Sequence, residues 1–455
     1  MVLYQCKLEE IAVSKPYLNL DLKIDFTDKE ITPWSGIVLL KKMLDRMEFE
    51  AALDRLPLPA PGSNRGYSPH QLIQQFMTSI WCGANKFEHC EVTRHDAVMK
   101  QCWGFKQMAG SKAIQRFFNK HTLATNQQIF TPLYQWFFGN LQYDNYTLDV
   151  DSTILTRYGG QQGSKKGYNP LKPGRNSHHP LIAFIEETKM VANFWLRSGD
   201  SYTSNNFQGF LADTIEKLNG KKIGLFRADS GFYGKEVFEY LEQSPQVGNY
   251  IIAARQYKPI QQKLAAQQLW VKVTAGIEVA ESTYQSPLWD QPRRLVMVRQ
   301  QVSERPCATG KTLKLFEDEG IYKNYRYSCF VTDLTLPALQ VWNLYRQRAN
   351  CENRIKELKY DFGADSFNLK NFDATEAALN WVMMAYNFIS LFRQVVLNTQ
   401  VEQRLKTLRY KVFAIGGYMV KNGSQKILKL SLAMKRREWF TGLWNCNKTF
   451  DLTKT

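Results

Sequence analysis

Between Tyr146 and Ala254 the chain passes through an order of textures that few folds accommodate. Three runs rich in β-branched and aromatic residues, Tyr146 to Leu155, Leu181 to Glu186 and Met190 to Arg197, predict strands. A helical pattern follows from Asn206 to Leu218, then a strand from Lys222 to Asp229, a helix from Gly234 to Leu241 and a strand from Asn249 to Ala254. Strands alternating with amphipathic helices imply an α/β sheet with helices packed on its faces.

Three strands, a helix, a strand, a helix and a strand is the order of a ribonuclease-H-like core. The order is then interrupted. Residues 257–335 carry further strand runs, Leu269 to Val273, Arg294 to Val298 and Tyr325 to Val331, and read as an inserted all-β subdomain. One long helix from Pro337 to about Tyr360 returns the chain to the core, and an apolar helix from Ala374 to about Leu397 leads into a basic tail. Ahead of the core, Ile37 to Leu53, Gln71 to Trp81 and Gln127 to Leu141 have helical spacing. The expected division is an N-terminal helical DNA-binding domain (1–142), a first core part (143–256), the β insertion (257–335), a last core part (336–372) and a C-terminal helical basic region (373–455).

With 44% apolar residues the chain can build cores, which excludes disorder. Its longest charge-free apolar stretch, between Glu376 and Arg393, is interrupted by Asn380 and Asn387, so no membrane span is expected. The first ten residues lack a basic segment followed by an apolar run, so no leader is legible and a cytoplasmic location is expected. The eight cysteines, at 6, 82, 90, 102, 307, 329, 351 and 446, form no C-x-x-C pair and read as reduced, mostly buried thiols. Cys82, His89, Cys90, His95 and Cys102 cluster in sequence, but their spacing fits ordinary helical packing better than a zinc site.

A net charge of +17 calls for a polyanionic partner. Residues 1–150 are nearly neutral. The excess lies in the tail after Val401 and in the run Arg157 to Arg175, whose Lys165, Lys166, Lys172 and Arg175 are set among glycines and prolines with no acid. Such a flexible loop can follow a phosphate backbone, so nucleic acid is the expected partner. In the N-terminal third, Ser111 to Lys120 offers a Ser N-cap, an apolar stripe and Lys112 and Arg116 one turn apart, a pattern shared by the reading helix of a helix-turn-helix and by an ordinary surface helix with a basic face.

Phosphodiester chemistry without a covalent intermediate commonly uses divalent ions held by carboxylates from separate elements. Asp151 lies near the end of the first strand and Asp229 ends the fourth, and chemistry collects at the carboxyl ends of strands in an open α/β sheet. Asp149 shares a face with Asp151, so position alone leaves the two as alternatives. On the long helix, about 100° per residue places Tyr345, Arg348, Glu352 and Lys359 on one narrow face and Glu357 on another. Glu352 is therefore the helical carboxylate, flanked by donors suited to phosphate oxygens.

Tyr345-x-x-Arg348-x-x-x-Glu352 followed by Lys359 resembles the Tyr-Arg-Glu-Lys signature of the insertion-sequence-four superfamily of bacterial DDE transposases. Asp149-Val-Asp-Ser-Thr153, Gly167-Tyr-Asn-Pro170, Gly174-Arg-Asn-Ser-His-His-Pro-Leu181 and Arg227-Ala-Asp-Ser-Gly-Phe-Tyr233 further resemble its insertion-sequence-thirteen-eighty branch. The resemblance implies a ribonuclease-H-like domain with a β insertion between the second Asp and the Glu. It implies that Asp151, Asp229 and Glu352 hold two magnesium ions, with manganese able to substitute, and that Tyr345, Arg348 and Lys359 grip a DNA end. The implied reaction cuts double-stranded DNA at terminal inverted repeats and joins 3′ hydroxyl ends to target DNA, in a homodimer that pairs two ends. The implied setting is a bacterial cytoplasm, at the nucleoid when DNA is bound. Relatives flip a base onto an inserted aromatic, for which Trp270 and Trp289 are the candidates, although large aromatics more often pack in cores. The competing readings are a related nuclease that cuts without joining and a catalytically silent DNA-binding protein.

Overall fold

The structure, a computed structural model, describes residues 24–63, 66–302, 324–399 and 402–446. Cys6, Cys307, the first ten residues and the end of the basic tail lie outside the described residues. Strand β1 (Asn145–Ser152) is followed by three short strands, β2 (Leu155–Thr156), β3 (Lys165–Lys166) and β4 (Asn176–His178), which pair in a small sheet of their own. The chain then supplies β5 (Leu181–Ile185), β6 (Val191–Trp195), β7 (Lys222–Ala228) and β8 (Val247–Ala253). With β1 they run in the order β6-β5-β1-β7-β8. β1, β7 and β8 are parallel, β5 runs antiparallel to β1 and β6 antiparallel to β5, so the carboxyl ends of β1, β7 and β8 meet at one edge.

The 257–335 stretch is β-rich as expected, yet it does not form a separate sheet. Its strands β9 (Val271–Thr274), β10 (Ile277–Tyr284), β11 (Arg293–Gln301) and β12 (Tyr325–Thr332) extend the core sheet, because β12 pairs antiparallel with β8 through Thr332↔Ile251, Val331↔Ile252 and Phe330↔Ala253. The result is one nine-stranded mixed sheet ordered β6-β5-β1-β7-β8-β12-β11-β10-β9. The pairing covers an edge of β8 that would otherwise expose unpaired backbone.

The apolar helix at the end of the core spans Phe372–Phe392 and is enclosed along nearly its whole length. Asn387 donates to the Val191 carbonyl at 2.8 Å and accepts from the Val191 amide at 2.7 Å, satisfying edge-strand groups that would otherwise be buried unpaired. Its other side meets the N-terminal helices: Phe388 packs against Phe49, Trp81 and Phe137, and the Trp81 indole donates to the Ala385 carbonyl at 3.1 Å. The N-terminal helices and the sheet therefore share one continuous hydrophobic core.

Two expectations change here. The C-terminal region is not wholly helical: a hairpin of β13 (Gly416–Asn422) and β14 (Gln425–Ser431) turns at Gly423, whose φ of 60° suits glycine. The Ser111–Phe118 helix is not capped by Ser111; Gly110 is the N-cap, and the Glu91 carboxylate accepts from the Ser111 amide at 2.6 Å. Cys82 and Cys90 are buried, and burial pushes both thiols up, Cys90 to about 12, so they pack as neutral side chains. No helix among the described residues is long and apolar enough to cross a membrane.

Candidate active site at the carboxyl edge of the sheet

The two aspartates of β1 have different surroundings. Asp149 is wholly buried and accepts two hydrogen bonds from Arg227 of β7, Nε to Oδ1 at 2.7 Å and Nη2 to Oδ2 at 2.9 Å. Both its oxygens are engaged. Asp151, one pleat further, accepts from the Ser152 amide at 2.8 Å and faces the Arg348 guanidinium at 3.3 Å. Burial, opposed by Arg348 and reinforced by the charges of Asp229 and Glu352, pushes its carboxyl up to about 6.

Asp229 follows the last residue of β7 and caps a short turn, accepting from the Gly231 amide at 2.8 Å. Arg255, just past β8, holds the same turn by donating to the Ser230 carbonyl at 2.6 Å and the Gly231 carbonyl at 3.3 Å. Sequence reasoning missed Arg255, although its place at a parallel strand's carboxyl end was a usable signal. It also missed His179. Nδ1 of His179 faces the Ser201 carbonyl at 2.8 Å and so carries the proton, leaving Nε2 to accept from the Ser152 hydroxyl at 3.0 Å. Burial lowers the His179 pKa, in keeping with a neutral ring.

The expected single long helix is two helices, Ala338–Arg346 and Ala349–Tyr360. At the joint the Arg348, Asn350 and Cys351 amides bond back three residues, to Tyr345, Gln347 and Arg348. The cause is distant in sequence: Arg227 Nη1 donates to the Leu344 carbonyl, and the Arg348 amide, whose α-helical acceptor that would be, turns to Tyr345. The joint turns more per residue than an α-helix, so the single-helix angles do not carry across it.

The signature residues all stand within the field of Asp151, but in different states. Arg348 is buried and spent inside the protein, donating to the Val150 carbonyl at 3.0 Å beside Asp151, which does not leave it free to grip DNA. Lys359 donates to the Ile154 carbonyl at 2.9 Å, and burial lowers its pKa. The Tyr345 ring packs on Phe330 with centroids 4.5 Å apart, and burial pushes its hydroxyl up to about 12. Glu352 is exposed. Among the described residues no three His, Cys, Asp or Glu side chains stand close enough to hold a metal ion as a ready-made cluster.

The basic run from Arg157 is tied down at Lys165 and Lys166, which form β3 of the small β2–β4–β3 sheet, and is otherwise turns, with Arg157 as part of its anchor. Arg157 is buried, with Nε donating to His178 Nδ1 at 3.0 Å and Nη1 to the Asp365 carbonyl at 2.6 Å. Lys165, Lys166, Lys172 and Arg175 are exposed; Lys165 pairs with Asp200 at 3.0 Å and Lys172 lies over the Tyr158 ring. Lys112 and Arg116 are exposed on the outer face of their helix. The two aromatic candidates are committed to packing. Trp289 is buried among Tyr233, Phe238 and Tyr284 with Arg293 over its ring, and half-buried Trp270 lies between Tyr327 and Arg299.

Among known proteins, a chain from a cryo-EM structure of the piggyBac transposase synaptic complex with hairpin DNA is similar at 13% identity and a TM-score of 0.44, covering 82% of this chain and 78% of that one. No curated protein matches the chain. The sequence profile of the family described as transposase DDE domain group 1 matches residues 15–447, which takes in all of the sheet and its flanking helices, and the chain belongs to that family.

Proposed function

We propose that the protein cuts DNA at the terminal inverted repeats of its insertion sequence and joins the freed 3′ hydroxyl ends to target DNA, using Asp151, Asp229 and Glu352. The observation that carries the reading is the state of Asp151: buried, within the field of two further carboxylates, and pushed up to about 6. A carboxylate in that company favours its anionic form when a cation joins it. Three carboxylates on separate elements are hard oxygen donors that suit two magnesium ions, with manganese as a substitute. Bound there, the ions would supply Lewis acidity at the attacking and leaving oxygens.

The chain's own residues prepare that centre. Arg348 favours the ionised form of Asp151, the Gly231 amide and Arg255 fix the Asp229 turn, and His179 orients the Ser152 hydroxyl. Tyr345 and Lys359 line the approach to the DNA end. Lys166, Lys172, Arg175, Lys112 and Arg116 offer exposed cations to double-stranded DNA, repeat and target alike. Holding two ends together calls for a homodimer on DNA, working at the nucleoid of a bacterial cytoplasm. The test is Glu352→Gln on duplex DNA bearing the repeat that flanks the chain's own coding sequence: end binding persists and nicking stops. Continued cutting by that variant refutes the assignment.

A further inference from the structure

The loop that joins β3 to β4 in the small sheet displays two large apolar side chains in water, Tyr168 at 65% and Leu171 at 76% exposure. Their base is fixed. Asn169 is 5% exposed, donates to the Thr156 hydroxyl at 3.1 Å and accepts from the Lys172 amide at 3.1 Å. Gly167 lies so close to the next loop that an added Cβ would sit 1.9 Å from the Gly199 carbonyl oxygen. The two side chains thus project from a cross-braced support. On either side of them Lys166 and Arg175 are exposed, and the run from Arg157 to Arg175 contains no acid.

We infer that this projection is a DNA wedge: Lys166 and Arg175 hold the phosphates of a duplex while Tyr168 and Leu171 enter between neighbouring base pairs and unstack them next to the cut. Cations alone would explain binding along a backbone. Exposed apolar groups between them fit the use of side-chain wedges that part a base step, with the tyrosine ring as a stacking surface. The Gly167 base of the wedge abuts the Gly199 loop, whose Ser201 carbonyl faces His179 next to Ser152, so the projection stands at the same edge of the sheet as Asp151. Trp289 and Trp270, packed against their aromatic neighbours, are not needed for this task. The inference rests on the proposed function for its substrate.

The experiment uses the full chain in EDTA with repeat-bearing duplexes that each carry one 2-aminopurine at a different distance from the end. Native protein raises the fluorescence at one or two adjacent positions. Tyr168→Ala with Leu171→Ala abolishes the rise while the salt dependence of binding stays as in the native chain, and Tyr168→Phe with Leu171 intact restores it. Lys166→Ala with Arg175→Ala lowers the salt slope by about 2, one for each phosphate no longer neutralised. An equal rise in the doubly truncated variant, or none in the native chain at saturation, overturns the wedge while leaving the proposed cleavage standing. Failure of the native chain to bind any duplex overturns both.

Discussion

Asp149 and Arg227 are direct partners across β1 and β7 and share two hydrogen bonds of 2.7 and 2.9 Å with both side chains sealed from solvent. Each stands two residues before a proposed catalytic aspartate, Asp151 or Asp229. Through its third nitrogen Arg227 also reaches the Leu344 carbonyl, at the joint that precedes Glu352. One guanidinium therefore sets β1, β7 and the helical joint against one another, and it engages both oxygens of the Asp149 carboxylate.

Removing one member of this pair leaves the other as a buried, uncompensated charge. Asp149→Asn should cost about 3–5 kcal/mol of stability, measured by urea unfolding. Asp151→Asn should cost less in EDTA, because the loss of its pairing with Arg348 is offset by relief of a carboxyl already pushed up by burial. Equal losses in the two variants would contradict the division of roles.

His178 is held neutral, accepting from Arg157 and facing the Gln162 carbonyl, and burial lowers its pKa from 6.5 to about 4. Because the folded pKa is the lower one, the unfolded chain takes up the proton first as pH falls. The stability His178 contributes is complete above about pH 6.5 and lost as pH falls toward 4. Between pH 7.5 and 5 the native chain should lose up to about 2 kcal/mol more than His178→Gln. Parallel pH curves for the two proteins would count against a buried neutral ring.

Trp289 packs with three aromatic rings and Arg293. Trp289→Ala should lower stability by about 3–5 kcal/mol. A stable variant with a selective defect on DNA would return this residue to the nucleic-acid surface.

Arg348 counters the rise of the Asp151 pKa. In Arg348→Gln the acidic limb of cleavage against pH, followed at fixed divalent concentration, should move to higher pH. A limb that stays in place while affinity for DNA falls would make Arg348 a DNA contact instead.

Much of the site was legible because it depends on local pattern. The strand ends at Asp151 and Asp229 follow from short β runs closed by turn residues, whereas the helical spacing that nominated Glu352 was counted across a joint that breaks it. What escaped depends on contacts distant in sequence. The break at Arg348 comes from Arg227, over a hundred residues earlier, which takes the Leu344 carbonyl. The continuous sheet depends on β8 pairing with β12, a register no local window contains. Arg157 reads as one more cation in a basic run, and only the fold shows it buried against His178 and Asp365. Asp149 and Asp151 are equivalent by strand alternation and are told apart by their partners, Arg227 from β7 and Arg348 from the helical joint.

The most direct test of the central claim is cleavage of a repeat-bearing duplex by the native chain and by Asp229→Asn, each with magnesium and with EDTA. The account predicts cuts at the repeat boundary by the native chain with magnesium alone, and none by the variant under either condition. Cutting by Asp229→Asn at the native rate, or native cutting undiminished in EDTA, would contradict it.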